Sequence, residues 1–316
     1  MKKRFLAFAL AMAMVLAMAA CGTAGEENEA SSSSESEAAP EFPVEVRDTI
    51  IEDAPKGVLS LTPGTTEMLF DMGYGSRVVG VSDYCDWPQE VEQKTPCGSP
   101  LSLDREMISR RPVDLVVSSV ALQEDDLIWF QQQDIPVLIL PRAQTFEELE
   151  ANYLDLALAM SGQTSGATRG EEYYASLEEK LDDALALSQS WASAHDGQIL
   201  RAIFLREMDY HMATGETFES RLLERIGFVN DAADYTDWLF PEEQVAILEP
   251  DVIFCDLSTQ PEKVATSWVY SVVGAAKNDL ILQVDFSILE RQSPRMFDLA
   301  VEMAEFAFGG QNTTDD

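Results

Sequence analysis

The turn Pro63-Gly64-Thr65-Thr66 follows one apolar stretch, and Tyr84, Cys85 and Trp87 follow the next. On a parallel sheet both groups would share one edge. A turn that opens a helix there presents free backbone N–H groups, and the aromatic rings supply flat apolar faces with a polar rim. That is material for holding a ligand. Material for transforming one is scarce. The chain has two histidines, His195 and His211, with no GxSxG or HExxH pattern and no plausible Cys-His pair, so it does not read as an enzyme. Two separated histidines also fall short of the clustered ligands that direct metal capture needs, and no resident cofactor or metal site is implied.

Length and charge narrow the partners. The chain of 316 residues carries 21 Lys and Arg against 56 Asp and Glu, a formal charge of −35. A nucleic-acid partner requires a basic patch that this balance does not provide. Lys2, Lys3 and Arg4 precede an apolar run from Phe5 to Ala20, which reads as a signal peptide over 1–20. Met18-Ala19-Ala20-Cys21 resembles a bacterial lipobox, with Met18 in place of the usual Leu, and makes Cys21 the expected lipidation site. Residues 21–46 are rich in Ser and Glu and poor in large apolar side chains, as expected of a disordered acidic tether. The protein is therefore expected on the extracytoplasmic face of a cell membrane, held by its N-terminal lipid. Cys85 and Cys97, twelve apart in an exported chain, are a possible disulfide, worth about 3 kcal/mol by loop entropy. Cys255 in "DVIFCD" reads as a buried strand thiol.

The elements that would position these residues occur twice. "EMISRRPVDLVVSS" from Glu106 and "EQVAILEPDVIFCD" from Glu243 share a helical turn, a Pro, an Asp and an apolar strand in one order. A strand–turn–helix–Gly unit precedes each. Alternating strands and helices with short apolar strands predict parallel sheets covered on both faces. Between the halves, 166–194 has helix-forming composition, no Pro, and apolar residues three and four apart. The expected fold is α/β: a lobe over 57–165, one long bridging helix over 166–194, and a lobe over 198–310.

"LSLTPGTTEMLFDMG", "VVGVSDYCDWPQEV", "ATGETFESRLLERIGFVNDA", "PEEQVAILEPDVIF" and "LERQSPRM", in this order, resemble the class III periplasmic-binding proteins. These are substrate-binding lipoproteins of ABC importers for iron-siderophores, haem and cobalamin. The resemblance implies two lobes bridged by a rigid helix, a ligand cleft between them and a metal-chelate cargo, an iron-siderophore or a corrinoid, with haem as an alternative and ligand sensing as another role. It also implies a permease dimer with a cytoplasmic ATPase as partner.

The implied ligand contacts are Tyr84 and Trp87 on one lobe, with Met212 and Trp238 facing them. The segment Ser287, Ile288, Leu289, Glu290 and Arg291 matches the corrinoid-touching stretch of the cobalamin-binding member, and Arg295 lies just beyond. Arginine grips carboxylate, phosphate or catecholate oxygens bidentately. Two aromatic positions of that member fall here on Pro100 and Ser119, which weakens the case for cobalamin. Glu106 and Glu243 occupy the positions that dock against permease arginines in the family.

Overall fold

The computed structural model describes residues 40–208 and 210–309. The expected signal peptide, Cys21 and the tether up to residue 39 lie outside the described residues. The end of that tether is ordered, contrary to expectation. Val44–Val46 (β1) and Thr49–Ile51 (β2) form an antiparallel hairpin. Alternation turns Val44, Val46 and Ile51 into the core, and burying these three side chains fixes an otherwise polar stretch.

The first lobe runs from β3 (Val58–Ser60) through α1 (Pro63–Asp71) and β4 (Val78–Val81) to β5 (Thr95–Pro96). A small hairpin of β6 (Gly98–Ser99) and β7 (Ser102–Leu103) then leads to α2 (Arg105–Ser109), β8 (Leu115–Ser118), α3 (Glu124–Gln131) and β9 (Val137–Ile139). The sheet order is β5-β4-β3-β8-β9, and every pair is parallel. Val58, Leu115 and Val117 belong to the large core on one face. Leu59, Leu61 and Val116 belong to a second core with Phe130 on the other. Burial on both faces explains why these strands read as continuous apolar runs.

Those two faces separate the cysteine pair. Cys97 is fully buried in the core with Leu59, while Cys85 packs against the large core. The expected disulfide is therefore absent: Cys85 Sγ lies 3.1 Å from the Thr66 hydroxyl, and Cys97 Sγ donates to the Thr95 carbonyl.

The first lobe ends in α4 (Phe146–Ser161), and the long α5 (Gln163–Ala194) runs from it to the second. Thr145 caps α4 by accepting the Glu148 N–H. Gly162, at φ +91°, turns the chain between them, and a side chain there would strike Glu41. At 32 residues, α5 is about 48 Å long.

The second lobe continues with β10 (Arg201–Glu207), β11 (His211–Met212), α6 (Phe218–Arg225) and β12 (Val229–Asn230). It then runs through β13 (Val252–Asp256), α7 (Pro261–Thr266), α8 (Gly274–Lys277) and β14 (Ile281–Val284). The strands β10, β13 and β14 are parallel, β12 pairs parallel with the start of β10, and β11 pairs antiparallel with its end. The chain closes with α9 (Phe286–Arg291) and α10 (Pro294–Ala304). Phe297 of α10 meets Tyr153 of α4 and Tyr174 of α5 edge-on, so the closing helix locks onto the bridge. Two α/β lobes bridged by one long helix is the architecture expected. Among the described residues, no helix is long and apolar enough to cross a membrane.

Candidate functional site

The carboxyl ends of β3, β8 and β9 open on one edge of the first sheet, where ligands of open α/β folds collect. From this edge come the start of α1, Ser119 and Val120 after β8, and Leu140, Pro141 and Arg142 after β9. The opposite wall comes from the second lobe: Ser287, Glu290, Arg291 and Gln292, at and just after α9. Together they enclose a cavity of about 310 Å3. Thr62 does not cap α1, because its hydroxyl instead accepts the Ser119 N–H at 3.0 Å. Pro63 has no N–H, so Gly64 and Thr65 carry the open donors of this helix start.

Polar contacts draw the lobes together around the cavity. Gln292, at φ 50°, uses both ends of its side-chain amide on the Ala143 backbone: it accepts the N–H at 2.7 Å and donates to the carbonyl at 2.8 Å. Arg291 donates from Nη1 to Glu67 (2.8 Å) and Asp86 (2.6 Å), and from Nη2 to Asp86 (3.0 Å). Arg295 holds the same Glu67 bidentately at 2.9 and 2.5 Å. Hydrogen bonds from Arg291 keep Asp86 below the usual carboxylate pKa. Burial works against the Arg291 charge, but its carboxylate partners more than restore it and raise its pKa. Gly64 makes the fit possible, since a Cβ there would lie 2.3 Å from the Arg291 carbonyl oxygen.

A second crossing lies behind the cavity. Arg142 Nη2 donates to Glu219 Oε1 at 2.5 Å. Glu219 is the second residue of α6, fully buried, and burial raises its pKa while Arg142 opposes the rise. Its Oε2 and the Arg142 Nε have no partner.

The expected contact residues divide into several groups. Ser287, Glu290 and Arg291 do line the cavity, although Arg291 is engaged by Glu67 and Asp86, and Glu290 by Arg206 at 2.6 Å. Leu289 and Met212 are corrections: both are buried in core clusters and offer no face to a ligand. Ile288 is half-buried against the same core as Leu289. Arg295 lies over the Trp87 ring at 4.9 Å, outside the cavity wall. Tyr84 is exposed, two residues from Asp86. Trp238 sits in the left-handed region at φ 61°, with the Arg206 guanidinium 5.5 Å from its ring centroid.

Arg142, Gln292, Glu67 and Glu219 were missed. Their partners lie 77 to 228 residues away, and only the polarity of "PRAQ" after an apolar strand hinted at Arg142. Glu106 is exposed in the first turn of α2 and pairs with Arg110, while Glu243 is exposed in the 3-10 turn Glu242–Ile247. Cys255 is buried in β13, as read from its strand. Among the described residues, no group of three or more His, Cys, Asp or Glu side chains could hold a metal ion.

The family profile described as periplasmic binding protein matches residues 58–287. An uncharacterized ABC transporter substrate-binding lipoprotein of Bacillus subtilis, YvrC, is 27% identical over 277 residues, covering 84% of this chain and 85% of that one. The vitamin B12-binding protein of Vibrio cholerae is 23% identical over 257 residues, covering 79% and 88%. Among solved structures, a possible iron-binding periplasmic solute-binding protein of Staphylococcus epidermidis aligns with a TM-score of 0.65 at 20% identity, covering 79% of this chain and 98% of that one. The haem-binding RhuT of Roseiflexus aligns at 0.64 and 20% identity, covering 81% and 99%. The profile match spans both sheets, the bridging helix and one wall of the cavity, and with it the chain belongs to the periplasmic binding protein family.

Proposed function

We propose that the protein is the substrate-binding component of an ABC importer, taking a metal chelate between its lobes and presenting it to a permease. The observation that carries this is the cavity built jointly from the strand ends of one lobe and the Ser287–Gln292 segment of the other. A ligand seated there touches both lobes and so reports its presence to whatever reads their relative position. Relatives described as ABC substrate-binding, vitamin B12-binding, haem-binding and iron-binding proteins support the cargo class.

At about 310 Å3 the cavity is at the low end of the roughly 300–1,000 Å3 of small-molecule sites. It accommodates one edge of a chelate. The body of a macrocycle requires the lobes to part, with Arg291 releasing Asp86. Tyr84, Trp87 and Trp238 are the aromatic surfaces such a body would meet. Glu106 and Glu243 are the carboxylates through which the two lobes would dock on a two-fold permease. Cys21 would carry the lipid that keeps the protein at the outer face of the membrane.

Native mass spectrometry of the full chain with cobalamin, cobinamide, haem and a set of ferric siderophores tests the reading. A one-to-one adduct with a panel member is expected. No adduct with any of them overturns the chelate assignment.

A further inference from the structure

Two guanidinium groups face the cavity, and they are not equivalent. An arginine has five N–H donors. Arg291 commits three bonds to Asp86 and Glu67, which also neutralise its charge. Arg142 makes one bond, from Nη2 to Glu219, and lines the cavity with the rest of its side chain about a third exposed. The charge opposite Arg142 is already shared. Glu219 lies in the first turn of α6, where the helix dipole stabilises a carboxylate. The cavity's own carboxylate, Glu290, is spent on Arg206. On the same sheet edge as Arg142, beyond β8, stands the start of α1, with open N–H groups at Gly64 and Thr65 and no acidic residue in its first turn.

Resting on the chelate-binding reading, we infer that the ligand carries an anionic oxygen group, a carboxylate or phosphate, and that Arg142 is its anchor. The group sits between the free edge of the Arg142 guanidinium and the α1 start. Glu219 is a positioning residue, reaching from the second lobe to fix the Arg142 fork. Arg291 holds the lobes together and does not grip the ligand in this arrangement. The cavity therefore selects against neutral chelates of the same shape.

The test is a set of matched pairs measured on the full chain by fluorescence quenching and calorimetry. Haem is compared with haem dimethyl ester, and ferric tricatecholate and ferric citrate with a neutral ferric trihydroxamate. An anionic member is expected to bind about tenfold to a hundredfold more tightly than its neutral counterpart, the range of one charge-assisted hydrogen-bonded contact. Arg142→Gln should remove that preference and Arg142→Lys should restore part of it, with far-UV circular dichroism unchanged. Equal binding of charged and neutral members, or an undiminished preference in Arg142→Gln, overturns the anchor and leaves the chelate reading standing. Binding of no member overturns both.

Discussion

Arg291 and Glu67, 224 residues apart in sequence, meet at 2.8 Å across the two lobes. The Glu67 carboxylate is nearly inaccessible and also takes both bonds from Arg295. One buried acid on α1 thus fastens the end of α9 and the start of α10. Removing it takes from Arg295 both of these bonds and leaves Arg291 with Asp86 alone. Glu67→Ala should cost about 1–3 kcal/mol, the range for hydrogen bonds to charged groups. Urea unfolding checks this, and an unchanged midpoint would show that the pair contributes nothing to stability.

Gly64 reports on the same contact through sterics alone. A Cβ at 2.3 Å from the Arg291 carbonyl oxygen must push α1 and α9 apart. Gly64→Ala should destabilise by about 1–3 kcal/mol, as overpacking does. It should also enlarge the small-angle scattering radius of the protein. A variant as stable and compact as the parent would contradict the close approach.

Two carboxylates at the lobe contact titrate with opposite signs. The pKa of Asp86 is depressed by the hydrogen bonds from Arg291, so its contribution to stability is full above its ordinary value of 3.8 and disappears as pH falls below it. The pKa of Glu219 is raised by burial, so its contribution is most favourable below its ordinary value of 4.5 and declines as pH climbs above it. Against Asp86→Asn, the parent should lose its advantage on acidification. Against Glu219→Gln, it should lose ground as pH rises towards neutral. Melting temperatures between pH 3 and 8 measure both, and parallel curves for either variant would refute the corresponding shift.

The three thiols among the described residues should behave as independent groups. Burial raises the pKa of Cys85 and of Cys97, and raises Cys255 to about 11. Alkylation of the folded protein should be slow at all three, and complete after denaturation without reductant. Peptide mapping that recovers a Cys85–Cys97 crosslink would reverse this assignment.

Docking through Glu106 and Glu243 predicts a separation of functions. Glu106 pairs with exposed Arg110, a pair of a kind worth little in water. Replacing both glutamates by arginine should leave ligand affinity unchanged and abolish uptake in cells. Uptake at the parental rate in that double variant would remove both residues from the interface.

The sheets and the bridging helix were legible because their signals are local: apolar runs between turns, and helical periodicity without Pro. Ser287, Glu290 and Arg291 were legible through a motif. The cavity's other polar groups were not, because Arg142 and Gln292 acquire meaning only when lobes far apart in sequence meet. Met212 shows a different limit. It ends a strand, where a one-residue change of register decides between wall and core, and β11 turns it inward. The same alternation defeated the cysteine pairing, since twelve residues of spacing say nothing about which face of the sheet each thiol occupies.

The chain enters the fold at Glu41, whose carboxylate accepts the Thr164 N–H at 2.8 Å and the Ser165 hydroxyl at 2.5 Å. Glu41 therefore ties the start of the described chain to the first turn of α5, so that a force applied at Pro40 would reach the bridge between the lobes before it reached the strand ends of either sheet.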